Sequence, residues 1–321
     1  MKLVTTRPFA ADVESEFRQL SPGLEIVVAQ DLDSLLREVA DADILTGSYG
    51  GGSGDTFKRV IDAAKVVRWV HTSSAGVDEL LGPYVFDRDF IFTSGKGYSV
   101  ANLLAEHAFA LLLSLTRGLV KAVRLDSWHP ELFRGNIGEV RGLTMGIIGF
   151  GSVGEALAKR ALAFEMKVLG IRAHPTPPPP GVEAVWGPER REELLRRSDV
   201  VVLILPNTPQ TQGSFGEAQL RAMKKSALLI NIGRGHVVDG AALERALVEG
   251  WIAGAGLDVM PTEPWPASSP LWKMDNVILT PHTAGNSPNR AGRDMEAFRQ
   301  NFRRFVRGEP LVSVVDRKAT Y

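Results

Sequence analysis

The chain has 321 residues, more than one ordinary core needs and enough for two domains of about 100–200 residues each. Lys+Arg and Asp+Glu both number 37, so the net charge is zero and no basic footprint points to nucleic acid or an acidic membrane surface. Hydrophobic residues at 44% exclude a disordered chain, and the lack of cysteine excludes disulfides, thiolate nucleophiles and cysteine-ligated metals.

The first hundred residues alternate short apolar runs with amphipathic stretches. Strands are predicted at Lys2–Val4, Glu25–Val28, Asp43–Thr46, Val67–Val70 and Phe90–Thr93, with helices over Leu32–Ala40 and Phe57–Ala64. That alternation reads as βαβ units on a parallel sheet. The stretch Tyr49–Gly54 follows the third strand and is read as a loop near a cleft or a surface turn. Val100–Arg117 is apolar nearly all round, so a helix there should be buried, between domains or subunits. His107 on it reads as a hydrogen-bonded structural histidine. No apolar run reaches the roughly 18 residues of a membrane span, because Glu106 and His107 interrupt the best candidate, Leu103–Leu115. The start has no signal-peptide layout, so a cytoplasmic protein with no membrane or nucleic-acid partner is expected.

A second series follows. Six continuous apolar runs, at Met145–Ile148, Lys167–Ile171, Val200–Leu205, Ala227–Ile232, Ala253–Asp258 and Val277–Thr280, suit strands covered on both faces of a doubly wound sheet. Pro177–Pro180 must be extended surface chain, since proline supplies no backbone donor. Pro288–Arg307 is amphipathic and is expected to return to the first domain.

Gly149-Phe150-Gly151-Ser152-Val153-Gly154 stands between a predicted strand and a predicted helix, the context in which G-x-G-x-x-G binds a dinucleotide. Gly149 would permit the turn, Gly151 the approach of a pyrophosphate, and Gly154 the packing of helix on strand. The N–H groups at the helix start would face the phosphates. An acid is usual about 20 residues further on, to hold the ribose 2′-hydroxyl of NAD. Arg172 stands there instead, 18 residues beyond Gly154, with His174 nearby. A guanidinium attracts a 2′-phosphate, so NADP(H) is preferred, with NAD(H) and a merely solvated Arg172 as the alternatives.

Three polar residues follow three successive strands: Arg234, Glu263 and His282. Ligands of open α/β sheets bind outside the carboxyl ends of strands, so the three are expected to converge there. Imidazole exchanges a proton near neutral pH, a carboxylate orients it, and a guanidinium binds a carboxylate. Taken singly, Arg234 could be a surface ion-pair partner and His282 a capping residue.

These features, with Gly76-Val77-Asp78, Ala105-Glu106-His107, the run Leu205–Thr211, Asn231–Asp239, Gly254–Asp258, Glu263-Pro264 and Ser269–Trp272, resemble the NAD(P)-dependent D-2-hydroxyacid dehydrogenases, nearest to the glyoxylate/hydroxypyruvate reductases. The resemblance runs from about residue 43 to 290. It implies an α/β chain of two doubly wound parallel-sheet domains, a Rossmann cofactor domain (101–286) inserted in a flavodoxin-like substrate domain (1–100 and 287–321). It implies His282 as general acid/base oriented by Glu263, with Arg234 on the carboxylate and carbonyl of a small 2-oxo or 2-hydroxy acid. Backbone N–H groups of Ser74, Ala75 and Gly76 would hold the substrate carboxylate. Beside the glycine turn, Ser152, Val153 and Arg172, the residues Pro206, Thr211, Ile232, Asp258 and Ala284 would touch the cofactor, Asp258 through the nicotinamide carboxamide. A homodimer built partly on the helix from Val100 is implied, and no metal. Trp265 stands where a smaller aliphatic residue is common. No regulatory domain follows residue 321, so control by serine is not expected. The same scaffold serves phosphite and formate dehydrogenases and nucleotide-sensing corepressor-like proteins. Glu263-Pro264 in place of a Gln-Pro pair argues against formate.

Overall fold

The computed structural model describes residues 1–47, 54–97, 99–135 and 137–316. The chain divides into two compact units, Met1–Val100 with the segment from Pro288 onward, and Ala101–Ser287.

The first unit carries β1 (Lys2–Thr5), α1 (Ala11–Leu20), β2 (Glu25–Val28), α2 (Leu32–Glu38), β3 (Ile44–Gly47), α3 (Gly54–Ala63), β4 (Trp69–Thr72), α4 (Pro83–Phe86) and β5 (Ile91–Ser94). Among the described residues these five strands pair in parallel, in the order β2-β1-β3-β4-β5, the flavodoxin-like arrangement. Side chains alternate across a strand, so adjacent apolar residues serve opposite faces. Leu3, Ile44 and Trp69 pack on one face with Phe17 of α1, while Val4, Leu45 and Val70 pack on the other with Leu35 of α2 and Phe57, Val60 and Ile61 of α3. Asp31 caps α2, its carboxylate accepting from the Ser34 amide at 2.7 Å. Of the Tyr49–Gly54 stretch only Gly54, the first residue of α3, is among the described residues.

The second unit opens with α5 (Ala101–Thr116), α6 (Leu119–Ala122), β6 (Thr144–Ile148), α7 (Ser152–Ala163), β7 (Lys167–Ile171) and β8 (Ala184–Trp186). It continues through α8 (Arg191–Arg197), β9 (Val200–Leu203), α9 (Glu217–Ala222), β10 (Leu228–Asn231), α10 (Gly240–Val248), β11 (Gly254–Leu257) and β12 (Val277–Leu279). The order β12-β11-β10-β9-β6-β7-β8 is parallel throughout and reverses direction between β6 and β9, as in a Rossmann fold with one added strand. Among the described residues seven strands replace the six predicted. The seventh, β8, has three residues between the proline run and Gly187-Pro188, too few for a periodic signal. The proline run is irregular and mostly exposed.

α5 is buried within the second unit's own core. Ala105, Ala108, Phe109, Leu111 and Leu112 pack with Leu157, Ala158 and Ala161 of α7 and with Ile230 of β10. The last helix, α11 (Arg290–Arg307), belongs to the first unit, where Phe298 and Phe302 join Phe17 and Trp69. Each fully buried phenylalanine there contributes roughly 1.5–3 kcal/mol.

Candidate active site

Strand register sets the site. Ile148 pairs with Leu203, Leu203 with Asn231, Asn231 with Leu257, and Leu257 with Leu279. The loops after β6, β9, β10, β11 and β12 therefore leave from one edge of one sheet.

The glycine turn leaves β6 beside the reversal of strand order. Gly149 has φ +104°, and a Cβ on it would lie 2.5 Å from the Ile204 carbonyl oxygen, so only glycine fits. Gly154 approaches the Gly149 carbonyl and Ile147, holding α7 close to its strand. At Gly151 a Cβ would meet nothing within 4 Å. The space above the first turn of α7 is open, and the amides of Ser152, Val153 and Gly154 there have no intrahelical acceptor. A pyrophosphate fits that cradle. Arg172 follows β7, its amide bonded to the Trp186 carbonyl at 2.9 Å and its Nη1 donating to the Thr176 hydroxyl at 3.3 Å. After β9, Thr211 Oγ1 donates to the Pro206 carbonyl at 2.6 Å and closes the loop on itself. Asn207 Oδ1 in that loop is buried with no donor among the described residues, an acceptor a ligand could satisfy.

Arg234 sits in a turn stapled by Asn231, whose Oδ1 accepts from the Gly233 amide at 3.1 Å and whose Nδ2 donates to the Arg234 carbonyl at 3.2 Å. The flanking glycines serve close approach. Arg234 itself is extended (φ −134°, ψ 136°), while a Cβ on Gly235 would collide with the Met260 carbonyl and one on Gly233 with the Leu205 backbone. Arg234 Nη1 donates to the Gly233 carbonyl at 3.0 Å.

Glu263 follows β11. Its Oε1 accepts from the Met260 amide at 3.0 Å and its Oε2 bonds His282 Nδ1 at 2.9 Å. One oxygen is thus fixed by backbone and the other orients the ring. Both side chains reach solvent, 52% exposed for His282 and 41% for Glu263. His282 adopts φ +53°, a left-handed conformation that costs a non-glycine residue about 1–3 kcal/mol. Its amide donates to the Asp258 carbonyl at 2.8 Å.

Asp258 is 2% exposed. Its Oδ1 accepts from Thr280 Oγ1 at 2.6 Å and the Thr283 amide at 2.9 Å, and its Oδ2 from the Ala284 amide at 2.9 Å. The Asp258 side chain therefore holds the loop that carries His282. Ile232 is buried, so it offers a neighbouring ligand its backbone alone. In the first unit, the Ser74 amide donates to Thr72 Oγ1 at 3.2 Å and the Ser74 carbonyl accepts from Gly95 at 3.1 Å.

Sequence reasoning picked out Arg234, Glu263 and His282 but passed over Asn231 and Thr280 as positioning residues. Asn231 had a signal, a lone amide ending an apolar strand. Among the described residues no group of three or more His, Asp or Glu could hold a metal, and no helix is long and apolar enough to cross a membrane.

Residues 109–284 match the family model for the NAD-binding domain of D-isomer specific 2-hydroxyacid dehydrogenases. The chain belongs to this family. It is 39% identical over 269 residues to a glyoxylate reductase of Korarchaeum cryptofilum, covering 81% of this chain and 79% of that one. To a glyoxylate reductase of Pyrococcus horikoshii it is 37% identical over 317 residues, covering 95% and 92%. The solved NADPH-dependent glyoxylate/hydroxypyruvate reductase of Sinorhizobium meliloti, in complex with NADP and sulfate, superposes with a TM-score of 0.77 at 27% identity, covering 100% of this chain and 99% of that one.

Proposed function

We propose that this family member reduces a small 2-oxo acid of the glyoxylate or hydroxypyruvate kind to the D-2-hydroxy acid, reversibly, and prefers NADP(H) to NAD(H). The observation that carries the reading is the His282–Glu263 pair at 2.9 Å, on the ligand-binding edge of the sheet that also presents Arg234. Glu263 takes Nδ1, so Nε2 is the nitrogen that gives its proton to the substrate carbonyl oxygen and takes it back in the reverse direction. Arg234 binds the substrate carboxylate and polarises the adjacent carbonyl. A bound nicotinamide cofactor supplies or accepts the hydride. Gly149, Gly151 and the first amides of α7 hold its pyrophosphate, and Arg172 pairs with the 2′-phosphate that distinguishes NADP.

In the first unit, the Ser74, Ala75 and Gly76 amides are proposed to hold the oxo acid, which makes that unit the substrate domain and the second the cofactor domain. A homodimer and a cytoplasmic setting complete the proposal. Support for the dimer comes from Leu119, Val123 and Trp128, large apolar side chains exposed on and just after α6.

Initial rates of NADPH and NADH oxidation with glyoxylate, hydroxypyruvate, pyruvate and phenylpyruvate test the reading. Fast turnover with NADPH is expected, lost in His282→Ala while cofactor binding persists. Cofactor binding without turnover of any 2-oxo acid would overturn it in favour of a nucleotide-sensing role, and normal turnover by His282→Ala would overturn the assigned acid.

A further inference from the structure

His107, on the buried helix α5, takes part in a relay that ends at His282. Its Nε2 lies 2.9 Å from Thr280 Oγ1 and 3.4 Å from Asp258 Oδ1. The Thr280 hydroxyl has one proton, and that proton goes to Asp258 Oδ1 across 2.6 Å. Thr280 therefore receives from His107, and His107 carries hydrogen on Nε2. Asp258 in turn takes the Thr283 and Ala284 amides on its carboxylate and the His282 amide on its carbonyl. Residues on both sides of His282, and its own backbone, thus converge on one buried aspartate whose near neighbour is His107.

We propose that His107 is a positioning residue for His282: through Thr280 and Asp258 it holds the left-handed turn that presents the imidazole to the substrate. The strain at His282 (φ +53°) is why a clamp is needed. A residue in a sparsely populated conformation persists only where its surroundings over-determine it. His107 suits the task because α5 is anchored by Ala105, Ala108, Phe109, Leu111 and Leu112 in the core of the same unit. Its side chain is 21% exposed, so it is held mostly within the unit, close to Thr280 and Asp258. A rigid helix fixes the donor, and the donor fixes a loop 173 residues further along the chain. The inference rests on the reading of His282 as the proton-transferring group.

The test compares His107→Leu, which removes the donor, with His107→Gln, which keeps an N–H, and with Thr280→Val, which breaks the relay at its middle. For His107→Leu, kcat with the best 2-oxo acid is expected to fall about tenfold, because a displaced catalytic group lowers turnover before it lowers binding. KM should stay within about twofold. His107→Gln should restore most of kcat. The double variant His107→Leu/Thr280→Val should be no slower than the worse single variant, since both break one relay. Independently of turnover, amide hydrogen exchange at residues 282–284 should quicken about fivefold to tenfold in His107→Leu, with exchange in β6 and β10 unchanged.

Wild-type kcat in His107→Leu, no rescue by glutamine, additive losses in the double variant, or exchange that quickens equally across the unit would each overturn the inference. His282→Ala separates the two claims. If it is inactive while His107→Leu is normal, only the relay is wrong. If His282→Ala turns over normally, the proposed acid falls and the relay's purpose with it.

Discussion

The two sheets share an all-parallel α/β design, yet their carboxyl edges are furnished differently. In the second unit the edge is glycine-rich and open. The turn at Gly149 and Gly151 exposes helix-start amides, and Glu263 and His282 reach solvent from loops held by backbone hydrogen bonds. In the first unit, buried polar side chains of neighbouring strands bond one another. Trp69 Nε1 and His71 Nδ1 both bond Thr93 Oγ1 at 2.8 Å, all three side chains being buried. α11 braces the neighbouring loops, with Arg290 on the Ser73 carbonyl and Arg293 on the Ser99 carbonyl. Burial pushes the His71 imidazole down to about 4, and pushes the Asp294 carboxyl up against the pull of Ser99, Arg290 and Arg293. Around the second unit's edge Glu263 and His282 face solvent, whereas His71, Thr93, Arg290 and Arg293 of the first unit bond its own structure.

The sharpest way to break this contrast is at His282. His282→Ala should lower kcat by about 10³-fold, the middle of the range for a lost general acid, while circular dichroism and the melting temperature stay as in the parent. Loss of fold instead would place His282 on the structural side.

His71 makes the opposite prediction. Its folded-state value, about 4, lies below the ordinary 6.5, so between those values the unfolded chain binds the extra proton. Stability should therefore fall as pH drops from 6.5 towards 4, by roughly 3 kcal/mol in full. Urea unfolding across that window in wild type and His71→Gln checks it. The glutamine variant should lose this part of the slope, and identical slopes would refute the assignment.

Arg172→Ala should weaken NADPH binding by about ten- to thirtyfold and leave NADH nearly untouched, the cost of one charge-assisted contact. Equal loss for both cofactors, read by nicotinamide fluorescence titration, would place Arg172 away from the 2′-phosphate.

The smallest structural effect belongs to Gly151. Because a Cβ there meets nothing, Gly151→Ala should move the melting temperature by no more than about 2 °C. Its dinucleotide affinity should nonetheless fall, since the methyl group enters the open cradle. A large loss of stability would show that the glycine serves the fold and not a ligand.

Much of this could be read from the residues in order. Short runs of three to six residues bounded by turns marked eleven of the twelve strands among the described residues, because strands covered on both faces need continuous hydrophobicity. The placing of Arg234, Glu263 and His282 after successive strands put them on one edge, since parallel strands all end on the same side. What the chain order hid was everything that depends on partners far apart. β8 is too short to carry a pattern and exists because β7 offers it an edge. The glycines around Arg234 look like freedom to turn and prove to be room for Leu205 and Met260, which only packing reveals. His107 has the spacing of a core helix, and nothing local says that Thr280 waits 2.9 Å away. Local propensity and periodicity belong to the sequence by itself. Which polar group meets which is decided only when the sheet brings distant strand ends together, because a hydrogen bond acts over about 3 Å and carries no trace along the chain.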